Sequence, residues 1–292
     1  MSIYGNPAPG VWADRAGMPP GPCDPSGIRL SRTAERRRGG PHMDKMSVIV
    51  VAAGSGQRFG GEENKIFAKI GDQSVFLVAL QLFVNREDVC QTILVVSPSD
   101  IDQMKSKFGA NIGFMGVKLV EGGAERHDSV AAGLAAVQED AALVCVHDAV
   151  RVCVAADWIE DVYRAAVKHG AAVPVCPVTS TLKRVDKGGV VTETVSREGL
   201  FAAQTPQVFR KELIRKAYDD FRSGTLKLPA GVPVTDDAQI VSAAGHPVYA
   251  VEGDPRNIKI TTRGDLALAG AIIKTLPQKP VSRRGAFEEA QW

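Results

Sequence analysis

Short apolar runs alternate with amphipathic stretches along this chain from residue 46 onward. Six apolar runs predict β-strands, at residues 48–53, 92–97, 117–121, 142–147, 171–177 and 247–251. Segments with helical spacing predict helices at residues 74–84, 99–108, 129–138, 157–168, 211–221, 235–244 and 263–276. Strands this apolar, alternating with helices, are typical of a mostly parallel, twisted sheet with helices on both faces. We therefore predict an α/β fold.

One segment, residues 179–204, departs from this alternation. Alternating charged and β-branched residues at 183–185 and 190–195 flank Asp186-Lys187-Gly188-Gly189, a pattern typical of a β-hairpin. An isolated two-stranded hairpin is marginally stable and needs a surface to pack on. A second subunit is one such surface, so we expect a protruding arm that contacts a partner.

The two ends of the chain lack hydrophobic periodicity. Residues 1–45 contain seven Pro and seven Gly, and such a composition cannot bury enough apolar surface to fold. We predict a disordered extension over residues 1–45, one folded domain over 46–276 and a flexible tail over 277–292.

Composition excludes several classes of protein. No apolar run approaches the roughly 20 residues that span a bilayer, so we expect no membrane association. The first 45 residues carry seven Lys and Arg against four Asp and Glu, which leaves 28 against 29 in the remainder; this near-neutral balance does not indicate a nucleic-acid partner. The cysteines are scattered, which favours a reducing cytoplasm. They are Cys23, Cys90, Cys145, Cys153 and Cys176.

The first predicted strand ends in a glycine-rich loop. Small residues at 53–56 expose backbone N–H groups, and two cations follow at Arg58 and Lys65, a combination that favours a polyphosphate. The spacing excludes a P-loop, and a dinucleotide fingerprint, hence an NAD-dependent oxidoreductase, is also excluded because the third glycine comes one residue late. A turn that uses glycine for its geometry alone is the alternative interpretation.

Other polar segments follow later strands, where an α/β sheet binds its ligands. Gly122 and Gly123 precede Ser129, which we expect to cap the next helix. Asp148 and Arg151 follow the fourth strand, and a carboxylate there can hold a hydrated Mg²⁺, although a surface ion pair would explain the two residues equally well. His147 has no neighbouring ligand residue and is interpreted as structural.

The remaining candidates are cationic or hydroxylic. Thr181 and Arg197 lie on the predicted arm, and Lys259 follows the last strand. No segment carries the local signature of a catalytic nucleophile. Cations, one carboxylate and backbone amides suit phosphoryl or nucleotidyl transfer, in which positioning and charge stabilisation do the catalytic work.

Together these segments resemble one family, 2-C-methyl-D-erythritol 4-phosphate cytidylyltransferase. The resemblance covers residues 47–276. Its segments are Ala52-Ala53-Gly54-x-Gly56-x-Arg58 with Lys65, Gly122-Gly123-x-Glu125-Arg126-x-Asp128-Ser129-Val130, His147-Asp148-Ala149-x-Arg151, Thr194-Val195-x-Arg197-x-Gly199-Leu200, Thr205-Pro206-Gln207, Thr235-Asp236 and Asn257-Ile258-Lys259-x-Thr261.

The resemblance implies a Rossmann-like nucleotidyltransferase fold and a homodimer with exchanged arms. It implies a transferase that joins CTP to a sugar-alcohol phosphate in non-mevalonate isoprenoid biosynthesis, with release of pyrophosphate. Mg²⁺ is the implied cofactor, held mainly by the CTP phosphates, with Asp148 as a possible ligand.

The same resemblance implies a role for each matched residue. Arg58 and Lys65 would stabilise the charge of the transition state, with Arg197 and Lys259 also at the reacting groups. The implied CTP-binding residues are Ala52, Ala53, Gly54, Gly123 and Ser129. The implied acceptor-binding residues are Asp148, Arg151, Thr181, Arg197 and Lys259, of which Thr181 and Arg197 would reach across from the other subunit.

Three residues depart from the family pattern. Val150 replaces an alanine, which brings the motif closer to the sister family of ribitol-5-phosphate cytidylyltransferases, Val152 replaces a proline, and Ala124 replaces an aspartate. The segment 194–205 favours the erythritol enzymes. A non-catalytic nucleotide-binding regulator is a distant alternative, disfavoured because Arg58, Lys65, Asp148 and Lys259 are all retained.

Overall fold

The computed structural model describes residues 43–54, 59, 64–228 and 232–277. Its strands are β1 (Met46–Val51), β2 (Lys69–Ile70), β3 (Gln73–Ser74), β4 (Val89–Val96), β5 (Lys118–Glu121), β6 (Leu143–Asp148), β7 (Ala171–Pro177), β8 (Leu182–Val185), β9 (Val191–Val195), β10 (Phe201–Ala203), β11 (Gln207–Arg210) and β12 (Tyr249–Glu252). Its helices are α1 (Val75–Gln81), α2 (Ile101–Phe114), α3 (Arg126–Ala135), α4 (Ala156–His169), α5 (Lys211–Arg222), α6 (Asp237–Ala243) and α7 (Arg263–Ile273).

One eight-stranded sheet organises the molecule. Its strands follow the order β5-β4-β1-β6-β11-β7, with β10 and β12 also paired to β7. Strands β10 and β11 run antiparallel to their neighbours, and the other pairings are parallel. Val51 lies opposite both Val95 and Asp148. The carboxyl ends of β1, β4 and β6 therefore meet at one edge of the sheet.

Helices cover both faces of this sheet, as the alternation of side chains along β1 demonstrates. Val48 and Val50 pack into one apolar cluster, together with Phe76 on α1, whereas Ile49 packs into the other, together with Val130 on α3. Successive side chains of a strand point to opposite faces, so β1 is buried on both sides. The predicted α/β class with a mostly parallel sheet is confirmed.

Several element boundaries differ from the predicted ones. Helix α3 begins at Arg126 rather than at residue 129, and Asp128 Oδ2 accepts a hydrogen bond from the Glu125 N–H group at 3.2 Å. Ser129 therefore lies inside the helix and donates to the Glu125 carbonyl, so its prediction as a helix cap is wrong. Strands β10 and β11 were not predicted, because runs of three and four residues are too short to show a period.

Within the predicted arm, residues 179–204, β8 and β9 form a separate two-stranded antiparallel sheet, whereas β10 pairs with β7 and belongs to the main sheet. The Asp186 carboxylate closes its turn by accepting hydrogen bonds from the backbone N–H groups of Gly188 and Val190, each at 2.9 Å. Val190 and Val191 at the tip are 61% and 57% exposed. The apolar residues of the tip are therefore left uncovered within this chain.

The ends of the folded domain are only partly described. Residues 1–42 and 278–292 lie outside the described residues, so the predicted disorder of the extension and the tail stays a prediction. Asp44 already contacts the domain, because its carbonyl accepts from Tyr163 Oη at 2.8 Å and its carboxylate pairs with Arg210. Within the described ranges, no helix is long and apolar enough to cross a membrane.

Two helical glycines give a test of how tightly the helices pack on the sheet. A Cβ atom added at Gly133 on α3 would lie 2.6 Å from Ile49 Cγ2, whereas one added at Gly109 on α2 meets nothing within 4 Å. We expect Gly133→Ala to lower the free energy of unfolding by about 1–3 kcal/mol through overpacking. Gly109→Ala, the matched control, should raise it by up to about 1 kcal/mol through helix propensity.

Urea denaturation of both variants measures the two changes. Equal effects of the same sign at the two positions would contradict the close contact between α3 and β1.

Candidate active site

The polar residues of interest lie where β1, β5 and β6 end. Backbone hydrogen bonds extend the sheet into these loops, since Ala52 N–H donates to the Val95 carbonyl and Gly122 N–H to the Val96 carbonyl, both at 2.7 Å. The segment between β12 and α7 joins the same edge, because Ile260 N–H donates to the Val150 carbonyl at 2.9 Å. Four chain segments that are distant in sequence thus share one edge of the sheet.

Two loops of small residues touch each other at this edge. A Cβ atom added at Gly122 would lie 2.8 Å from Ala53 Cβ and 2.7 Å from Ser129 Oγ, and one added at Gly123 would overlap Asp128 Cβ. Ser129 Oγ accepts a hydrogen bond from Gly123 N–H at 3.2 Å. Any larger residue at these positions would separate the loops, so the close approach requires glycine. The predicted CTP-binding residues Ala52, Ala53, Gly54 and Gly123 therefore lie in one pair of touching loops, and Ser129, in the first turn of α3, contacts that pair.

The cationic loop after β1 is described at its two ends and at Phe59. Arg58 lies outside the described residues, and Lys65 begins the turn that leads to β2. The Asn64 side-chain amide donates to the Gly54 carbonyl at 3.1 Å and to Asp100 Oδ2 at 2.8 Å. Asn64, which the sequence analysis did not single out, thereby fixes Lys65 next to the first small-residue loop.

Asp148, the last residue of β6, lies among three cations. Its Oδ2 atom is 2.7 Å from Lys259 Nζ and 3.8 Å from Arg151 Nε, and its Oδ1 atom is 3.2 Å from Arg126 Nε. Its side chain is only 9% exposed, whereas that of Lys259 is 38% exposed. Burial alone would raise the pKa of this carboxyl, but the positive charges of Arg126 and Lys259 outweigh burial and hold the pKa well below its usual range.

Arg151 is held beside Asp148 by the loop after β12. Its Nη1 donates to the Asn257 carbonyl at 2.7 Å. Burial lowers the pKa of the guanidinium, only partly offset by the charge of Asp148, yet a group with an ordinary pKa above 12 stays charged at neutral pH. The cluster therefore keeps three positive charges around one carboxylate.

The buried His147 side chain links Arg151 to Thr205 by hydrogen bonds, and through Thr205 to the backbone of Asp148. Its Nε2–H group donates to the Arg151 carbonyl at 2.8 Å, and its Nδ1 atom accepts from Thr205 Oγ1 at 3.2 Å. Thr205 Oγ1 accepts in turn from Asp148 N–H at 3.1 Å. Both ring nitrogens are occupied, as the prediction of a structural histidine requires. Burial lowers the pKa of His147 to about 4.

The arm residues Thr181 and Arg197 are exposed. Arg197 donates to the Thr179 carbonyl at the base of the arm. Among the described contacts, none joins Thr181 or Arg197 to the Asp148 cluster of the same chain. One chain thus brings together Asp148, Arg151 and Lys259 of the predicted acceptor-binding residues, and leaves out the two that we predicted to act across a subunit boundary.

Comparison with known proteins identifies the family. A sequence model of the 2-C-methyl-D-erythritol 4-phosphate cytidylyltransferase family matches residues 46–275. This chain belongs to that family. Curated relatives with this name include the protein of Rhodopirellula baltica, 39% identical over 239 residues, 78% of this chain and 94% of the relative. The protein of Alkaliphilus oremlandii is 37% identical over 235 residues, 80% of this chain and 97% of the relative.

Solved structures of the cytidylyltransferase family share the fold. The enzyme of Thermus thermophilus superposes with a TM-score of 0.64 at 34% identity, covering 79% of this chain and 99% of that one. The enzyme of Francisella tularensis superposes with a TM-score of 0.66 at 28% identity, covering 78% of this chain and 99% of that one. The resemblance inferred from the motifs is confirmed.

The described residues do not fit a protein-held Mg²⁺. Both oxygens of Asp148 already face cations, and a further divalent cation there would meet three positive charges instead of a set of oxygen ligands. No group of three His, Cys, Asp or Glu side chains that could hold a metal occurs within the described ranges. Asp148 as a magnesium ligand is therefore disfavoured.

Arg126 and its partner Asp237 are the residues that motif reasoning missed as parts of the site. Arg126 belongs to a matched motif, but it had been given no role. Asp237, 111 positions away, forms two hydrogen bonds with it, at 3.1 and 2.9 Å. The pairing of the Asp237 carboxylate with the Arg126 guanidinium is visible only in the structure. No local spacing in the sequence predicts it.

The lowered pKa of His147 predicts acid sensitivity of the fold. Above about pH 6.5, the ordinary pKa of histidine in an unfolded chain, the imidazole is neutral in both the folded and the unfolded state. Between about pH 6.5 and pH 4, the unfolded chain binds a proton at His147 that the folded protein does not bind. Stability is therefore lost as the pH falls through this window. From pH 7 to pH 5 we expect His147 alone to lower the free energy of unfolding by about 2 kcal/mol.

His147→Gln keeps one donor and one acceptor without titrating. Urea denaturation of the wild type and this variant at pH 7 and pH 5 isolates the effect, because the other histidines cancel in the comparison. An identical loss of stability in both proteins would show that His147 is protonated in the folded state.

Proposed function

We propose that this chain transfers the cytidylyl group of CTP to 2-C-methyl-D-erythritol 4-phosphate and releases pyrophosphate. The supporting observation is that the touching small-residue loops and the Asp148 cluster lie on the same edge of the sheet, in a chain of this family. A slot bounded by backbone groups adjoins a set of fixed cations. This arrangement suits a nucleotide on one side and an anionic acceptor on the other.

The small-residue loops bind the cytosine and ribose. Ala53, Gly122 and Gly123 carry at most a methyl group, so a pyrimidine can approach the backbone N–H and C=O groups of these loops directly. Arg58 and Lys65 stabilise the negative charge that develops at the α-phosphate. Removal of one such preorganised group typically costs a factor on the order of 10²–10³ in rate.

The acceptor binds at the Asp148 cluster. Lys259, the most exposed of its three cations, extends toward the open side, and Arg151 adds a second charge for the acceptor phosphate. An oxygen of that phosphate attacks the α-phosphorus of CTP, a new P–O bond forms, and the bond to pyrophosphate breaks. Asp148 keeps Lys259 in place and offers its carboxylate to the polyol hydroxyls.

The arm completes the site in a homodimer. Thr181 and Arg197 have no described contact with the cluster of their own chain, and the tip around Val190 exposes apolar surface. An arm that crosses to a second copy would cover this surface and bring Arg197 to the partner's acceptor site. Sedimentation at the assay concentration tests the assembly, since a fully active monomer would contradict it.

We also propose that the reaction requires Mg²⁺ and that the protein works in the cytoplasm. The ion enters bound to the triphosphate of CTP and not to a protein-made centre. Cys90, Cys145, Cys153 and Cys176 are free thiols, which favours a reducing compartment.

The acceptor is the methylerythritol phosphate and not ribitol phosphate. Val150, the one residue that favours the ribitol enzymes, packs into the apolar core and is only 6% exposed. Its apolar side chain therefore serves the packing of the core, and its difference from the family pattern does not by itself indicate another acceptor. One methyl or methylene group changes specificity by only about 1–3 kcal/mol, so weak turnover of the longer polyol is expected.

A coupled pyrophosphate-release assay tests the function. The full-length chain with Mg²⁺ should turn over CTP and methylerythritol phosphate, with kcat/KM at least about tenfold above that for ATP, GTP or UTP, because a base with mismatched groups leaves buried partners unsatisfied. Chelation of Mg²⁺ should abolish turnover.

Equal turnover of CTP and ATP would contradict the nucleotide assignment. A higher kcat/KM for ribitol phosphate would move the chain to the sister activity. Binding of CTP without turnover of any polyol phosphate would favour a regulator.

A further inference from the structure

We infer that Asp237 is a positioning residue for the acceptor half of the reaction, acting through Arg126 on Asp148. The inference rests on the proposed function for its kinetic readout. Asp237 is the first residue of α6 and is wholly buried, and it touches neither Lys259 nor Arg151 in any described contact. Its effect on the acceptor must therefore pass through Arg126.

The contact between Asp237 and Arg126 fixes the guanidinium in one orientation. Asp237 Oδ1 accepts from Nη1 at 3.1 Å and Oδ2 accepts from Nη2 at 2.9 Å. Such a two-point contact sets the plane of the guanidinium as well as its distance. The Tyr218 hydroxyl donates to Asp237 Oδ1 at 2.6 Å, which fixes the carboxylate in turn.

The orientation of Arg126 determines which oxygen of Asp148 is left to pair with Lys259. Because both terminal nitrogens of Arg126 are held by Asp237, only its Nε–H group faces Asp148, and it reaches Oδ1 at 3.2 Å. Oδ2 is left to Lys259 at 2.7 Å. The two oxygens of Asp148 thus have different partners. Oδ1 accepts a hydrogen bond from Arg126, and Oδ2 pairs with the more exposed Lys259.

Helix capping does not explain the buried carboxylate of Asp237. Asp236 caps α6, since its Oδ1 accepts from Gln239 N–H at 3.0 Å. All three described hydrogen bonds of the Asp237 carboxylate go to Arg126 and Tyr218. Burial of a carboxylate without solvent contact is unfavourable unless it is paired. The partner of Asp237 is Arg126, which also pairs with Asp148 of the candidate site.

Loss of the Asp237 charge would weaken the hold on the two terminal nitrogens of Arg126, Nη1 and Nη2. The guanidinium could then turn its two terminal nitrogens toward Asp148 and compete with Lys259 for Oδ2. This change acts on the acceptor half and leaves the small-residue loops unchanged.

The test compares Asp237→Asn with a matched buried pair elsewhere. Asp88, 5% exposed, receives a two-point contact from Arg86, with Nε at 2.9 Å and Nη2 at 2.5 Å, at the start of β4 and hence at the opposite end of that strand. Asp88→Asn removes a comparable interaction without touching the site. KM for each substrate, kcat and the melting temperature are measured for the wild type and both variants.

We expect Asp237→Asn to raise KM for methylerythritol phosphate roughly tenfold or more, since small misplacements of binding groups have effects of this size, while KM for CTP changes less than about twofold. Asp88→Asn should lower the melting temperature with both KM values unchanged. Tyr218→Phe, which removes one hydrogen bond to Asp237, should raise the acceptor KM in the same direction by a smaller factor.

Unchanged acceptor KM in a folded Asp237→Asn protein would overturn the inference, as would equal rises in both KM values. If Asp237→Asn does not fold, Tyr218→Phe decides: a selective rise in the acceptor KM supports the role, and unchanged values refute it. A wild type that turns over no polyol phosphate would refute the proposed function instead, so the two failures are distinguishable.

Discussion

The pairing of the Asp148 carboxylate with Arg126 and Lys259 is the interaction on which the site depends. It joins the end of β6 to the start of α3 and to the loop before α7, three segments that the sheet alone brings only to the same edge. A buried carboxylate is unfavourable by itself, and the cations offset this cost by charge pairing. Because the carboxylate neutralises only part of the surrounding charge, the cluster keeps positive charge, which suits the anionic acceptor that we propose.

The other constraint is the space between backbones. Glycine at 122 lets the loop after β5 lie against Ala53 and Ser129, and glycine at 123 lets it lie against Asp128. His147 and Thr205 fix the adjacent backbone from the core side. In the proposed function, the nucleotide half is thus formed by backbone groups of small residues and the acceptor half by charged side chains, and both are anchored in one sheet.

Local pattern was enough to predict the architecture and to single out residues that the structure brings to one edge of the sheet. Apolar runs gave the parallel strands, because a strand buried on both faces leaves a continuous signal, as in Val48 to Val50. The motifs named Asp148, Arg151 and Lys259, and the structure brings the three side chains together, since Asp148 ends β6, Arg151 follows it and Lys259 lies in the loop between β12 and α7. The roles of Arg126, Asp237 and Tyr218 could not be predicted, because their pairing depends on how α3, α5 and α6 pack and not on any sequence spacing.

Ionisation of Asp148 tests the central claim most directly. Carbon-13 NMR of the side-chain carboxyl, assigned by comparison with Asp148→Asn, follows its protonation as the pH is lowered. If Arg126 and Lys259 hold the carboxylate as described, its titration midpoint lies well below the ordinary value of about 3.9 and rises in Lys259→Met. A midpoint at or above the ordinary value in the folded wild type would contradict this account.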